Sequence, residues 1–314
     1  MSTWLVTGGS GFLGRHLLDR LCAADPEGTR IVAMGRRRPE ARSRFEFAEA
    51  DLDDPAAVCR TIQAIRPRYV VHLAALTPPQ PDPARYFGTN TRWTARILDA
   101  LSALGAPVRL VIAGSAAELG PVPVECLPIG ETTPCRPIDG YGLSKWAATR
   151  LALDARPPVE SVVARIFNPI GPGMSARQAF GRFARSLSSD GPEPLRLRVG
   201  DLQAARDFID VRDVVEALFA LARRGTAGSL YHVGTGRSHR VGEGLDVLIG
   251  LSGRSVAVES SGPGPGPTDS RADIRRIQHD TGWSPRIPFA RSLADLWSEV
   301  RSDPGRPGDS LRVA

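Results

Sequence analysis

The chain contains almost no lysine. Lys145 is the only lysine among 314 residues, although lysine and arginine together number 40. Because arginine supplies nearly every positive charge, a retained lysine predicts a task that a guanidinium cannot perform. An ammonium is a compact, rotatable charge, whereas a guanidinium is a planar fork. The alternative interpretation is a surface lysine that survived in an arginine-rich composition.

Cysteine is also scarce, and its four residues are scattered. Cys22, Cys59, Cys126 and Cys135 form neither a Cys-x-x-Cys pair nor a cluster with histidine. This spacing indicates no disulfide framework and no metal site of the zinc type, and it favours free thiols in a reducing cytoplasm.

Long apolar runs are missing as well. No run approaches the roughly 18 residues that a membrane-spanning helix requires. A strand-like segment at residues 4–6 stands where a signal peptide would carry its charged region, so we expect no signal peptide. With 42% hydrophobic and 24% charged residues, the composition is typical of a soluble globular protein. We expect a cytoplasmic protein with no membrane partner.

The formal net charge is +6, but the arginines are spread along the chain. The densest run is only residues 36–38, and no nucleic-acid-binding motif accompanies it. We therefore expect no nucleic-acid partner. The positive charge instead suits a small polyanionic substrate and cofactor.

A glycine-rich turn follows the first apolar strand, residues 4–7. Gly8, Gly11 and Gly14 are spaced G-x-x-G-x-x-G, and an amphipathic helix comes next. Glycines at this spacing allow a tight turn, close backbone approach to a pyrophosphate and close packing of helix on strand. The helix N-terminus then favours the anion. The pattern predicts dinucleotide binding.

The second predicted strand, residues 30–34, leads to arginines. An NAD-preferring protein usually has Asp or Glu about 20 residues past the glycines, to hold the ribose 2′-hydroxyl. Here Arg36 and Arg37 suit a 2′-phosphate, so we expect NADP(H), with NAD(H) as the alternative. A solvated basic turn is the competing structural interpretation. Asp51 and Leu52, after the next strand, are expected to line the adenine pocket.

Lys145 follows Tyr141 by four residues in the segment 139–145 (DGYGLSK). Residues at this spacing share one helix face. An ammonium beside a phenol favours the phenolate, so we expect the pKa of Tyr141 to fall from about 10 toward neutrality. Tyr141 could then act as a general acid or base. Ser115 follows the strand at 110–113, at the sheet edge where open α/β folds bind ligands.

Strand and helix alternate up to about residue 170 and less regularly beyond it. We expect an α/β fold with a Rossmann-type doubly wound parallel sheet and a smaller C-terminal α/β domain. The expected division is a dinucleotide-binding domain at 1–170, which regains elements from about 205–235, and a mainly substrate-binding domain at 171–302. We expect residues 262–267 to form a flexible connector and residues 303–314 to form a disordered tail.

Two local predictions concern single residues. His72 ends a buried strand and is expected to be a packed core histidine. Asp53 or Asp54 is expected to cap the helix that begins at Pro55.

Several motifs together resemble one family. Residues 7–14 (TGGSGFLG), Ser115, Tyr141-x-x-x-Lys145 and residues 165–169 (RIFNP) resemble the extended short-chain dehydrogenase/reductases, the NAD-dependent epimerase/dehydratase family. That family acts largely on nucleotide-activated sugars. The resemblance covers nearly the whole chain, and residues 165–173 and 199–215 look most like the GDP-4-keto-6-deoxy-D-mannose reductases within it.

The resemblance implies a role for each matching residue. Tyr141 would exchange a proton with the sugar oxygen, Lys145 would hold the ribose and lower the Tyr141 pKa, and Ser115 would hydrogen-bond the reacting carbonyl. The expected cofactor contacts are Gly8, Gly11, Phe12, Leu13, Gly14, Arg36, Arg37, Asp51, Leu52, Leu73, Ala74, Ala75, Asn90, Tyr141, Lys145 and Ile166. The expected substrate contacts are Thr77, Ser115, Ala116, Asn168, Arg206 and, less directly, Arg271. The resemblance also implies a homodimer built from helices at roughly 85–104 and 141–155.

The chain departs from the family's dehydratases at one important place. Those enzymes carry acidic residues just after the catalytic Ser or Thr, where this chain has Ala116 and Ala117. Glu118 comes one position late and is expected to face elsewhere. Leu119 stands where the family usually has tyrosine. Elimination of water would therefore lack its acid and base.

These observations favour an enzyme, namely an NADPH-dependent ketoreductase. Its substrate would be the 4-keto group of a GDP- or dTDP-linked 4-keto-6-deoxyhexose. One alternative is a nucleotide-sugar epimerase that retains its NAD(P), and another is a natural-product tailoring ketoreductase acting on an aglycone. A non-catalytic nucleotide sensor on the same fold is the alternative outside enzymology.

Overall fold

The computed structural model describes residues 2–24, 28–40, 44–80, 82–262 and 269–302. Residues 263–267 of the predicted connector and the whole predicted tail lie outside these ranges. Within them, no helix has the length and apolar character needed to cross a membrane.

A parallel sheet forms the centre of the molecule. The strands are β1 (Ser2–Thr7), β2 (Thr29–Gly35), β3 (Glu46–Glu49), β4 (Tyr69–His72), β5 (Val108–Ser115), β6 (Val159–Ile166), β7 (Asn168–Ile170), β8 (Leu195–Val199), β9 (Ala205–Arg206), β10 (Phe208–Asp210), β11 (Ser229–Val233), β12 (His239–Arg240) and β13 (Val256–Ser260). Seven of them pair in the order β11-β6-β5-β4-β1-β2-β3, and every pair in this sheet is parallel. The predicted Rossmann-type α/β fold is confirmed.

Helices cover both faces of this sheet. They are α1 (Phe12–Ala24), α2 (Pro55–Ile65), α3 (Ala84–Tyr86), α4 (Arg92–Ser102), α5 (Gly140–Leu153), α6 (Ala179–Ser188), α7 (Val211–Arg224), α8 (Val241–Ser252), α9 (Arg275–Thr281) and α10 (Phe289–Ser302). One apolar core packs α1, α7 and α9 against the sheet, and a second packs α2, α4 and α5 against its other face.

The strands contain apolar runs because helices cover both faces of the sheet. In β1, Trp4 and Val6 enter the core under α1 and α7, whereas Leu5 enters the core under α2 and α4. Successive side chains of a strand point to opposite faces, so a strand buried on both faces is apolar at every position. Residues 4–6 of the first strand therefore form a continuous apolar run rather than an alternating pattern.

The later part of the chain builds a third apolar core and also returns to the sheet. Residues of β8, α6, α8 and α10 form this core, which includes Phe180, Leu248 and Trp297. Three strand pairs, β7 with β10, β9 with β12 and β8 with β13, lie outside the main sheet. Helix α7 contacts α1 on the main sheet, and β11 forms its edge beside β6.

Aspartates begin several helices. Asp54 caps α2 by accepting from the N–H groups of Ala56 at 2.9 Å and Ala57 at 3.0 Å, with Pro55 as the first helical residue. Of the two predicted caps, Asp54 is therefore the one used. Asp53 instead accepts from Arg92 and Trp93 at the start of α4. Asp139 caps α5 by accepting from the N–H of Gly142 at 2.7 Å.

Candidate functional site

The glycine turn between β1 and α1 is too tight for side chains. A Cβ on Gly14 would lie 2.1 Å from the Gly8 carbonyl oxygen, and one on Gly8 would lie 2.5 Å from the Ala74 nitrogen. Gly8 also has a φ of +72°, where glycine is favoured. The Gly11 N–H donates to the Gly8 carbonyl at 3.0 Å, which closes the turn. The turn is a bare backbone cradle at the N-terminus of α1, and it fits the phosphates of a dinucleotide.

The end of β4 forms one wall of this cradle. The Thr7 hydroxyl contacts His72 Nδ1 at 2.7 Å and accepts from the Ala74 N–H at 3.4 Å, while Leu73 donates to the Thr7 carbonyl at 3.2 Å. Leu73, Ala74 and Ala75 are half-buried beside the glycines. His72 is buried, and burial lowers its pKa to about 3. Its prediction as a packed core histidine is confirmed.

The arginines after β2 differ in their surroundings. Arg36 and Arg37 are exposed and make no hydrogen bond or ion pair with the part of the chain that the structure describes. Arg38 is held, because its guanidinium stacks 5.2 Å from the Phe45 ring centre and donates to the Phe45 carbonyl at 3.2 Å. Two cations thus stand open at the carboxyl end of β2.

Other expected cofactor contacts lie around the same sheet edge. Asp51 is half-buried and accepts from the Asp53 N–H at 2.9 Å, whereas the Leu52 side chain enters the apolar core. Phe12 and Leu13, at the start of α1, pack against the apolar cores. Ile166 ends β6, and its side chain is buried.

Ser115 and Tyr141 come together beyond the carboxyl end of β5, and Lys145 lies one turn after Tyr141 on the same helix. Ser115 is the last residue of β5, and its side chain hydrogen-bonds that of Tyr141. Its hydroxyl also accepts from the Ala117 N–H at 3.2 Å. Helix α5 carries Tyr141 and Lys145, and Lys145 is buried. The helix comes close because residue 142 is glycine, since a Cβ there would lie 2.4 Å from the Ala117 carbonyl.

The expected direction of the Tyr141 pKa shift is wrong. Burial raises the pKa of Tyr141 to about 12, against a smaller lowering by the Ser115 hydrogen bond. Lys145 is not among the causes of the shift; nearby Glu118, Asp139 and Tyr86 raise the pKa further. Burial also lowers the pKa of Lys145 to about 8. At neutral pH the pair is a phenol beside an ammonium, which is a proton donor rather than a base.

Asn90 is buried and connects the site to its supports. Its amide oxygen accepts from the Leu76 N–H at 2.7 Å, and its nitrogen donates to the Leu76 carbonyl at 3.1 Å and to the Ser144 hydroxyl at 3.0 Å. It lies in a π-helical turn, Phe87–Thr91. The predicted helix at roughly 85–104 is present as continuous helical backbone at 84–102, with this π-helical turn inside it. The Asn90 side chain spans the end of β4 and α5, and so holds both in place.

Glu118, which sequence reasoning expected to face elsewhere, does so. It is fully buried, and its carboxylate accepts from Arg165 Nη2 at 2.8 Å. Leu119 and Phe167 are buried in a small apolar cluster, and Ala116 packs against this cluster. The sequence did not indicate a partner for Glu118, although Arg165 is the first residue of the motif at 165–169.

Three of the six expected substrate residues lie close to one buried aspartate, Asp207, that the sequence did not single out. Its carboxylate accepts from the N–H groups of Thr235 at 2.7 Å, Gly236 at 2.9 Å and Ala272 at 3.0 Å. The Asn168 side chain donates to its carbonyl at 3.0 Å. Arg206 precedes Asp207 in the chain, and Arg271 precedes Ala272. Asp207 therefore connects the three segments that carry Asn168, Arg206 and Arg271.

The remaining substrate candidates differ in exposure. The Arg206 guanidinium is half-buried, and burial lowers its pKa. Arg271 lies 3.9 Å from the Asp269 carboxylate. Thr77 is exposed in the segment after β4.

Comparison with known proteins gives one family for most of the chain. The protein-family model described as the NAD dependent epimerase/dehydratase family matches residues 4–234. The GDP-6-deoxy-D-mannose reductase of Pseudomonas aeruginosa is 32% identical over 313 residues, which cover 95% of this chain and 96% of that protein. The dTDP-6-deoxy-L-talose 4-dehydrogenase (NAD(P)(+)) of Kitasatospora kifunensis is 29% identical over 309 residues, which cover 95% of this chain and 96% of that protein.

A solved structure has the same architecture. The structure of RMD from Pseudomonas aeruginosa complexed with NADPH matches with a TM-score of 0.83 and 29% identity. The match covers 96% of this chain and 99% of that chain. The similarity therefore includes the C-terminal elements as well as the sheet.

Proposed function

This chain belongs to the NAD dependent epimerase/dehydratase family, and on that premise we propose that it is an NADPH-dependent ketoreductase. It would reduce the 4-keto group of a GDP- or dTDP-linked 4-keto-6-deoxyhexose to an alcohol. The observation that carries the proposal is the pairing of Tyr141 with Ser115, on the helix of the single lysine. The relatives named for GDP- and dTDP-linked 6-deoxy sugars support the substrate class.

The cofactor would lie across the carboxyl edge of the sheet. Gly8, Gly11 and Gly14 would hold its pyrophosphate, and Arg36 and Arg37 its 2′-phosphate. The chemistry that a bound nicotinamide supplies is hydride transfer. The protein orients the ketone, excludes water and supplies a proton.

Tyr141 supplies that proton to the ketone oxygen. Its phenol is held in the protonated form by burial, so it is ready to donate at neutral pH. The Ser115 hydroxyl, which accepts from the Ala117 N–H, has its own proton free to bond the same oxygen. Lys145, on the same helix face as Tyr141, would hold the ribose of the cofactor. Asn168, Arg206 and Arg271 would contact the substrate diphosphate.

A substrate panel tests the proposal. The purified protein would be incubated with NADPH and GDP-, dTDP- or UDP-linked 4-keto sugars, with the corresponding saturated sugars as controls. We expect loss of NADPH absorbance only with a 4-keto-6-deoxy sugar, and a product heavier by two hydrogens. Epimerisation of a saturated sugar without NADPH consumption, or a nucleotide held tightly through purification, would instead identify an epimerase. Reduction of an aglycone ketone alone would identify a tailoring enzyme.

Cofactor preference is tested at the two open arginines. Substituting Arg36→Ala and Arg37→Ala together removes both cations proposed to bind the 2′-phosphate. Charged hydrogen bonds contribute roughly 1.5–3 kcal/mol each, so we expect NADPH affinity to fall by at least about tenfold while NADH affinity stays unchanged. The matched control is Arg38→Ala, whose guanidinium is bound to Phe45. Equal losses for NADPH and NADH would contradict the assignment.

We also propose a homodimer that uses the surface of two helical segments. Phe87, in the π-helical turn, and Leu143, Trp146 and Leu151, on α5, are exposed apolar side chains. Exposed apolar patches of this kind often mark contacts between proteins. Their position on the segments expected to form a four-helix bundle supports the proposal.

A further inference from the structure

Glu118 is buried directly behind the proposed catalytic group. It ends the short 3₁₀ turn of residues 116–118 that follows Ser115. One carboxylate oxygen accepts from the Ser115 N–H at 2.7 Å and from the Thr149 hydroxyl at 3.0 Å. The other accepts from Arg165 Nε at 3.0 Å and Nη2 at 2.8 Å. A single carboxylate thus accepts four hydrogen bonds from three structural elements.

These bonds join the strand end to the helix that holds the tyrosine and the lysine. Thr149 lies one turn after Lys145 on α5, so the two residues share a helix face. Glu118 therefore fixes the distance between Ser115 on β5 and the catalytic face of α5. The Glu118 carboxylate packs closely against the backbone of Gly114, since a Cβ on Gly114 would lie 2.8 Å from a Glu118 oxygen.

Arg165 balances the negative charge of Glu118, and among the described residues Arg165 pairs with no other carboxylate. Its Nη1 contacts His232 Nε2 at 3.3 Å, and its Nη2 contacts Cys135 Sγ at 3.2 Å. Burial, with the Arg165 charge, lowers the pKa of His232 to about 3, so His232 is neutral at working pH. Burial raises the pKa of the Cys135 thiol, so this thiol is neutral too.

Glu118 also faces both titrating groups of α5. It raises the pKa of Lys145 against the effect of burial, and it raises the pKa of Tyr141. Asp139 and Tyr86 also face Tyr141, and neutral His72 faces Lys145 from β4. Glu118 is the charged group that acts on both, and in both cases it favours the protonated form.

We propose that Glu118 is a positioning residue whose buried carboxylate aligns Ser115 with the helix that carries Tyr141 and Lys145, and which supplies the negative charge that acts on Lys145, an arrangement suited to reduction. The preference for reduction rests on the proposed function, whereas the effect on Lys145 does not. The residue corresponds to no acid of the family's dehydratases, because it points away from the substrate side and into the sheet.

The single lysine allows a direct test without substrate. Protein grown with lysine carrying ¹³C at Cε has one labelled side chain, and its NMR shift against pH reports the Lys145 titration. The parent midpoint is expected near 8. In Glu118→Gln the amide oxygen can still accept from Ser115 and Thr149, but the negative charge is lost. The ammonium then loses its stabilising neighbour, and we expect the midpoint to move to lower pH.

Two further variants make the result decisive. Thr149→Val removes one hydrogen bond to Glu118 and leaves its charge, so the midpoint is expected to stay at the parent value. Breaking a buried ion pair costs about 3–5 kcal/mol, which can prevent Glu118→Gln from folding. The double variant Glu118→Gln with Arg165→Gln replaces both charged side chains by neutral ones and is therefore prepared as well. A smaller downward shift is expected there, because the positive charge of Arg165 is removed together with the negative charge of Glu118. An unchanged midpoint in the folded Glu118 variants overturns the proposal.

The pH dependence of turnover gives the second measurement. The kcat for ketone reduction is expected to decline as pH rises through about 8 in the parent, because the ammonium is lost. The decline should begin at lower pH in Glu118→Gln and at the parent pH in Thr149→Val. A purely structural role would lower kcat equally at every pH. If the parent reduces no ketone, the proposed function fails, but the labelled lysine still reports on Glu118.

Discussion

Tyr141→Phe is expected to reduce kcat by about 10²–10⁴-fold, the usual contribution of a positioned general acid. The change removes the phenol that is hydrogen-bonded to Ser115. The aromatic ring remains, so the edge-to-face contact with Tyr86, with ring centres 5.6 Å apart, is preserved. Ser115 retains its bond from the Ala117 N–H. The loss should therefore be chemical rather than structural.

The measurement is kcat on a reduced ketone together with the dissociation constant of NADPH. Cofactor affinity is expected to stay within a few-fold of the parent value. Tyr86→Phe is the control, since it deletes a hydroxyl from the neighbouring ring and should leave turnover nearly intact. An undiminished kcat in Tyr141→Phe would exclude the proton-donor role, whereas NADPH binding without ketone reduction by the parent protein would support a non-catalytic nucleotide sensor.

Gly14→Ala is expected to disable the dinucleotide cradle. The added Cβ would lie 2.1 Å from the Gly8 carbonyl oxygen and 2.7 Å from the Gly9 Cα. Both neighbours are backbone atoms, so the turn must open. Overpacking of this kind costs about 1–3 kcal/mol, and the displaced turn no longer matches a pyrophosphate. We expect NADPH affinity to fall by about 10–100-fold, with a decrease in Tm of about 2–6 °C.

Calorimetric binding and thermal unfolding measure both effects. Gly250→Ala provides the control, because Gly250 lies within α8 and an added Cβ meets nothing within 4 Å. Alanine in a helix is favoured over glycine by about 0.5–1 kcal/mol, so this variant should bind NADPH normally and unfold slightly later. Parent-like NADPH binding by Gly14→Ala would refute the location of the cradle.

Most of the fold could be predicted from the sequence because its signals are local. The glycine spacing after a short apolar strand predicts β1, the turn and α1, and the structure has them at Ser2–Thr7 and Phe12–Ala24. Asp54 followed by Pro55 predicts the start of α2. A strand buried on both faces is a continuous apolar run wherever it lies in the chain. Such patterns need no knowledge of distant residues.

The π-helical turn before α4 was not predictable in this way. A helix was expected at roughly 85–104, and the helical backbone at 84–102 contains a π-helical turn at Phe87–Thr91. That turn brings the Asn90 amide to Leu76 and Ser144. Neither partner is near in sequence, and the satisfaction of a buried amide depends on both.

The sequence by itself determined the identity of the chemistry-bearing groups: the glycine turn, the arginines after β2, Ser115, Tyr141 and the solitary Lys145. Each is recognisable from residue type and short spacing. Only the tertiary structure decided their protonation, because burial raises the pKa of Tyr141 to about 12 and lowers the pKa of Lys145 to about 8. It also decided the roles of Glu118 and Asp207, which depend on partners 47 and 65 residues away. Desolvation and long-range pairing arise only when the chain is folded, so no local pattern could supply them.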